Sequence, residues 1–196
     1  MSEAPSDDDL LARARTGEER AFRMLVERYE GAVAATVIGM LGRGDDADDV
    51  GQETFIRFHR SLDRFRGESS LKTYLVHIAM NLSLNALRSR KRSLLRFVSH
   101  DDEPVDLAEP RVGPDGELDA GELHELVRNA VARLGEKHRP VVVLRLFHEY
   151  STRETAEMLG VPEGTVLSRL SRALKELQTM LAPYVRRGAA LPELTQ

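Results

Sequence analysis

The chain has 196 residues, enough for one large domain or two small ones, with 41% hydrophobic and 31% charged residues. Cysteine is absent, which excludes disulfides and thiolate metal sites. The longest uncharged apolar stretch, residues 32–41, is too short to span a bilayer. The acidic N-terminus is the reverse of a secretory signal, so we expect a cytoplasmic protein without membrane insertion. The net charge of −4 argues against nucleic acid only if it is spread evenly along the chain.

Residues 1–96 have the periodicity of a helical domain. Ser6 or Asp7 is predicted to cap a first helix, Gly17 ends it, and hydrophobic residues then recur at helical spacing up to Leu41. The aspartates of "GRGDDADDV" are predicted to cap a further helix. After the break "RGESS" comes the long helical stretch "LKTYLVHIAMNLSLNALRSRKRSLLRF". Residues 57–96 carry 10 basic and 2 acidic side chains, which favours a site for a polyanion; uneven surface charge without function is the alternative.

Residues 97–118 are predicted to be a flexible acidic linker. The segment has three prolines and closely spaced acids, and it cannot bury enough apolar surface to fold alone. It separates the predicted N-terminal domain, residues 1–96, from a predicted C-terminal domain, residues 119–183. The tail, residues 184–196, is expected to be disordered. The predicted fold class is therefore all-α, with two small helical domains.

A helix-turn-helix is predicted in the C-terminal domain. The run "VVVLRLF" is β-branched, but no second strand lies nearby to pair with it, so we interpret it as a buried helix. Ser151 and Glu154 form an S-x-x-E capping box, and Gly160 occupies a helix-ending position. The segment "GVP" turns the chain at this point, and a second helix with a basic face follows the turn. A helical hairpin used only for packing is the alternative.

The helix after the turn has two distinct faces. One face is apolar and is predicted to be buried: Val166, Leu170, Ala173, Leu174 and Leu177. The opposite arc carries hydroxyls and cations, namely Thr165, Ser168, Arg172 and Lys175, with Arg169 and Ser171 on its flanks. Such side chains suit phosphates and base edges in a DNA groove.

Two segments resemble one family. "DDADDVGQETFIRFHRSLDRFRGESSLKTYLVHIAMNLSLNALRSRKR" is similar to the region of bacterial extracytoplasmic-function sigma factors that binds core polymerase and reads the −10 element. "EYSTRETAEMLGVPEGTVLSRLSRALKEL" is similar to their −35-reading region. The resemblance implies a protein without catalysis or cofactor, whose partners are core RNA polymerase, promoter DNA and an anti-sigma factor.

The resemblance also implies roles for particular residues. Those expected to dock on core polymerase are Asp49, Gln52 and Glu53. Those expected at the −10 element are Gly67, Ser69, Ser70, Lys72, Tyr74, Asn81, Asn85, Arg88, Arg90, Lys91 and Arg92. Those expected at the −35 element are Arg153, Thr165, Ser168, Arg169, Ser171, Arg172 and Lys175. Leu167 and Ser171 occupy positions that are often basic or bulky in the family, so the preferred promoter sequence stays open.

Other classes of function fit less well. His124-Glu125 and His148-Glu149 begin an H-E-x-x-H pattern, but neither completes it, and no spacing of residues suggests a metal site, a nucleophile or a small-molecule substrate. A regulator that binds DNA alone would share the helix-turn-helix, yet it would have no role for "DVGQETF" and "YLVHIAMN". A module that only docks other proteins is the third alternative.

Overall fold

Helices form all of the regular secondary structure in residues 4–97 and 120–185, which are the residues that the computed structural model describes. The α-helices of these two ranges are α1 (Asp7–Arg15), α2 (Glu19–Leu41), α3 (Asp45–Arg60), α4 (Leu71–Phe97), α5 (Ala120–Arg133), α6 (Arg139–Val142), α7 (Thr152–Leu159) and α8 (Glu163–Val185). A 3₁₀ turn, Leu62–Arg64, follows α3, and α6 continues into a π-helical turn, Val143–Phe147. The all-α prediction is confirmed.

The chain divides into two compact units. One comprises residues 1–38 and 43–86, and the other comprises residues 39–42 and 87–196. Helix α4 contributes to both. Nearly all of the predicted linker, residues 97–118, lies outside the described residues, and so do residues 186–196 of the predicted tail.

Helix boundaries in the first unit follow local capping signals. Ser6 caps α1, since its Oγ accepts the N–H of Asp9 at 3.2 Å, and Gly17 has the positive φ of 89° that a break needs. The predicted aspartate cap of α3 is wrong. The N-cap is Gly44, with φ 137°, and the aspartates begin one residue later, in the first turn, where their charge interacts favourably with the helix dipole.

An aromatic group lies in the core of the first unit. Phe58 of α3 is fully buried, and its ring centroid lies 5.7 Å from that of Phe22 on α2 and 6.3 Å from that of Tyr74 on α4. Leu71 and Leu75 of α4 are buried as well. The rings join α2, α3 and the start of α4, and so position the loop that precedes α4.

Buried valines and leucines form the core of the second unit. The "VVVLRLF" run is helical, and Val141 to Leu144 have no exposed surface, so the prediction of a buried helix is confirmed. Helix α8 contacts α5, α6 and α7. On its predicted inner face Val166, Ala173 and Leu177 are buried, while Leu170 and Leu174 are partly buried.

Candidate nucleic-acid interface

Helix α7, a turn at residues 160–162 and helix α8 form a helix-turn-helix. Ser151 Oγ accepts the N–H of Glu154 at 3.2 Å, and Glu154 Oε2 accepts the N–H of Ser151 at 2.8 Å, which confirms the capping box. Gly160 ends α7 with φ 61° and ψ 39°, a left-handed conformation that glycine adopts without strain. The capping box and Gly160 fix the two ends of α7, and so they determine where α8 can begin.

A small apolar core holds the two helices together. Its members are Val141, Ala156 and Val166, with Leu159, Val161 and Leu170 packed against them. Burying this side of α8 leaves its other side on the surface. A helix in this arrangement can enter a major groove with its N-terminal turns.

The polar arc of α8 is placed as predicted. Ser168, Ser171, Arg172 and Lys175 are exposed, and Thr165 and Arg169 are half-buried. Within the described residues, no ion pair involves Arg172 or Lys175. Ser168 Oγ donates to the Thr165 carbonyl at 3.0 Å, so toward DNA this hydroxyl can act as a hydrogen-bond acceptor.

Arg153 lies on α7 and already has an acidic partner. Its Nε donates to Glu157 Oε1 at 3.0 Å, one helical turn away, and both side chains are exposed. This hydrogen bond raises the pKa of the Arg153 guanidinium above its ordinary value. A phosphate contact by Arg153 therefore requires that it leave or share the Glu157 carboxylate.

A cavity of about 380 Å³ lies beside the loop that precedes α4. Its lining combines two aromatic rings with cations and one acid: Arg64, Phe65, Arg66, Glu68, Ser69 and Tyr74. Gly67 has a positive φ of 72°, which permits the tight bend. A planar base can stack on an aromatic ring, and the cations among the lining residues suit its phosphates.

Ser70 has a structural role in addition to its predicted one. Its Oγ accepts the N–H of Thr73 at 3.1 Å and lies 2.9 Å from Thr73 Oγ1, which caps the start of α4. Of the two neighbouring serines, Ser69 and Ser70, it is Ser69 that lines the cavity. Of the predicted −10 residues, the structure thus brings Ser69 and Tyr74 together at one cavity.

Hydrogen bonds and a ring contact hold Tyr74 in place beside the cavity. Its hydroxyl donates to Ser61 Oγ at 3.0 Å, and Ser61 Oγ donates to the Phe58 carbonyl at 3.0 Å. The Tyr74 ring lies 4.9 Å from Phe65, centroid to centroid. Arg15 of α1 holds the same wall, since its guanidinium donates to the carbonyls of Leu62 at 3.1 Å and Phe65 at 2.5 Å.

Sequence reasoning missed part of this cavity. Arg64, Phe65 and Arg66 lie in the basic segment 57–96, but the sequence alone assigns none of them a role in a site. The available signal was the pattern "RFR" immediately before the glycine of the loop. Arg15 gave no local signal, because it is 47 residues from Leu62 in the sequence.

The remaining predicted −10 residues lie along α4. Lys72, Asn81, Asn85, Arg88, Arg90, Lys91 and Arg92 are all exposed. Asn81, Asn85, Arg88 and Arg92 recur every three or four residues and so share one face of the helix. The Asn81 amide nitrogen lies 3.1 Å from Nε2 of His77, one turn earlier on the same face.

The predicted polymerase-docking residues lie on α3. Asp49 and Gln52 are exposed, and Glu53 is half-buried and accepts from Arg57 Nε at 2.8 Å. Ile56, one turn after Gln52, is 43% exposed and borders a cavity of about 250 Å³. This face therefore presents an acid, an amide and an apolar side chain together.

The described residues meet the requirements of neither a metal site nor a membrane-spanning helix. The side chains of residues 4–97 and 120–185 include no group of three or more histidines and acids that could hold a metal ion. None of the helices described is long and apolar enough to cross a bilayer.

The helix-turn-helix of the second unit is typical of DNA-binding proteins of transcription, and this is the class that the fold indicates. The family model for Sigma-70 region 2 matches residues 25–93, and the model for Sigma-70, region 4 matches residues 124–177. The ECF RNA polymerase sigma-E factor of Escherichia coli K12 is 34% identical over 95% of this chain and 100% of the relative. The ECF RNA polymerase sigma-E factor of Haemophilus influenzae is 33% identical over 94% of this chain and 100% of the relative. The chain belongs to the extracytoplasmic-function (ECF) family of RNA polymerase sigma factors.

Two solved structures are similar in fold over most of the chain. The sigma factor RpoE of Bartonella quintana, in complex with the anti-sigma factor NepR, has a TM-score of 0.65 and 26% identity, covering 82% of this chain and 96% of that one. CnrH, in complex with the cytosolic domain of CnrY, has a TM-score of 0.60 and 27% identity, covering 91% and 99%. The predicted class is confirmed: the chain is a sigma factor, the subunit that binds core RNA polymerase and directs promoter-specific initiation. The region 2 match disfavours a regulator that acts alone.

Proposed function

We propose that this sigma factor reads the −35 duplex with α8 and captures an unpaired −10 base in the cavity beside Tyr74. The observation that carries the proposal is the cavity itself, whose lining includes the rings of Phe65 and Tyr74 and the cations Arg64 and Arg66. An unstacked base offers its face to an aromatic ring and its edges to nearby polar groups. The exposed cations on α4 suit the phosphates of the opened strand.

The two DNA contacts differ in what they require. Duplex recognition by α8 needs only the exposed arc around Ser168 and Arg172. Base capture needs a base that has left the duplex, which double-stranded DNA by itself does not present. We therefore propose that Asp49, Gln52 and Glu53 of α3 hold the protein on core polymerase, and that the opened strand meets the cavity only in that complex.

Further partners follow from the family. RpoE and CnrH were both solved with a protein partner, and that of RpoE is an anti-sigma factor. We propose that a protein of this kind holds the present chain inactive. The proposal includes no catalytic step and no cofactor, and it places the protein in the cytoplasm, where bacterial RNA polymerase acts.

The test of the whole proposal is transcription by purified bacterial core polymerase from a randomised promoter library, with and without this protein. The expected result is a set of transcripts that appears only with the protein and starts downstream of two shared short elements. If no such transcripts form although the protein binds core, promoter reading as proposed here is wrong. If the protein does not bind core, the docking role of α3 fails as well.

The base-capture step has a direct readout. A 2-aminopurine placed next to the captured position in the −10 strand of a selected promoter gains fluorescence when its neighbour leaves the stack. Ser69→Trp fills the cavity from an exposed loop position, and Gln178→Trp adds the same side chain to the exposed surface of α8 as the control. Ser69→Trp should abolish the fluorescence rise and leave −35 binding intact. An unchanged rise would place base capture elsewhere.

A further inference from the structure

Leu167 is an exposed apolar residue in a polar setting. Its side chain is 55% exposed, and among the described residues only Ile56 is a comparable exposed large hydrophobic residue. A single leucine on a surface needs no explanation. This one lies in the second turn of α8, next to Ser168, within the turns of a recognition helix that meet base edges.

The neighbours of Leu167 along the helix leave space around it. Gly164 is one turn before it and Ser171 is one turn after it, and both are exposed. A Cβ built on Gly164 would meet nothing within 4 Å, so internal packing does not require glycine there. The result is an apolar side chain between two small residues, beside the arc that carries Arg172 and Lys175.

The chemistry of the major groove identifies what such a side chain can recognise. Adenine, guanine and cytosine present donors and acceptors there, and thymine alone adds a methyl group at C5. Leucine has no donor or acceptor, so it cannot distinguish bases by hydrogen bonding. Its contact with a base is favourable where it covers a methyl group and unfavourable where it covers a polar edge that water would otherwise solvate.

We propose that Leu167 is a specificity-determining residue that contacts the C5-methyl group of a thymine in the −35 element. Gly164 and Ser171 leave room for the methyl group beside the leucine. The inference rests on the proposed −35 reading by α8 and adds one base preference to it. Removing one buried methyl group should reduce promoter use about fourfold.

The experiment uses the holoenzyme and a promoter selected from the randomised library. Each thymine of the −35 element, on either strand, is replaced singly by deoxyuridine, which pairs identically but lacks the methyl group. Wild type should lose about fourfold in initiation at one position. Leu167→Ala should initiate equally from thymine and uracil at that position. Arg169→Ala is the control variant, expected to lower initiation on both templates while preserving the difference between them.

The outcomes separate this inference from the function it rests on. If initiation depends on the −35 element but no thymine can be distinguished from uracil, or if the element contains no A·T pair, the role of Leu167 is wrong and −35 reading stands. Persistent discrimination in Leu167→Ala has the same consequence and leaves the exposed leucine to a protein partner. If initiation does not depend on a −35 element at all, both proposals fail.

Discussion

Tyr74 belongs both to the cavity and to the core below it. Its ring borders the cavity and contacts Phe58 and Phe65, while its hydroxyl is used by Ser61. If the cavity takes a base as we propose, Tyr74 presents its ring to that base, because its hydroxyl is already donated to Ser61. Ser70 and Thr73 show a similar division, because their hydroxyls serve the start of α4.

Tyr74→Phe removes the hydroxyl and keeps the ring. The free energy of unfolding should fall by about 0.5–1.5 kcal/mol, the usual net contribution of one hydrogen bond, as measured by denaturant titration. Ser61→Ala should cost a similar amount, and the double variant should lose little more than either single one. Fully additive losses would show that the two side chains do not stabilise each other.

Arg172→Ala distinguishes a base contact from a phosphate contact. If Arg172 pairs with a guanine edge, the variant should lose about 1–3 kcal/mol of preference for the selected −35 element over its guanine substitution. Lys175→Ala is the matched control, and it should weaken binding to both sequences equally and reduce the salt dependence. The measurement is duplex binding by holoenzyme at several salt concentrations. Equal loss on both sequences would make Arg172 a phosphate contact.

Helix α7 shows how one element sets the geometry of its neighbour. The capping box fixes its start at Ser151, and Gly160 fixes its end, so α8 leaves the turn in one direction. A change at this cap therefore alters the position of α8 without contacting α8 itself. The Glu154 carboxylate takes part in this cap, and hydrogen bonding from the Ser151 side chain and backbone lowers its pKa below the ordinary value.

The lowered pKa predicts that the stability of the second unit depends on pH. A carboxyl whose pKa is lower in the folded state adds stability above the unfolded pKa, and this is lost as the pH falls through the folded pKa. Wild type should thus exceed Glu154→Gln in free energy of unfolding by a constant amount near neutral pH. The difference should shrink below about pH 4.3. Denaturant titrations across pH measure it, and a pH-independent difference would contradict the role of the charge.

The distribution of charge is a property of the whole molecule. Residues 57–96 and 127–187 are basic, whereas residues 97–126 carry 10 acidic and 1 basic side chains. Most of that acidic segment, residues 98–119, lies outside the described residues. Our hypothesis is that its acids keep the segment off DNA and suit it to positively charged channels of polymerase.

Replacing the acids Asp101, Asp102, Glu103 and Asp106 with serine tests this hypothesis. The variant should initiate less efficiently than wild type and bind core polymerase equally well. The measurements are transcription from a selected promoter and core binding by titration. Unchanged initiation would show that the charge of this segment has no role in initiation. Reduced core binding would move the role of the acids to assembly.

Local chemistry in the sequence determined a large part of this protein. The helix-turn-helix was predictable because the capping box at Ser151 and the glycine at Gly160 act over three or four residues. The exposed arc of α8 followed from helical spacing alone, and so did burial of Val166 and Ala173. The family resemblance came from the same segments, and the comparisons confirmed it.

Only the tertiary structure decided which residues form the cavity. Phe65 and Arg66 end one segment and Tyr74 lies on the next helix, and they meet because Phe58 packs between α2 and α4. Arg15 reaches the same wall from a distant part of the sequence. Caps and periodicity depend on neighbours along the chain, whereas a cavity depends on contacts between elements, and those exist only once the hydrophobic faces have been buried against one another.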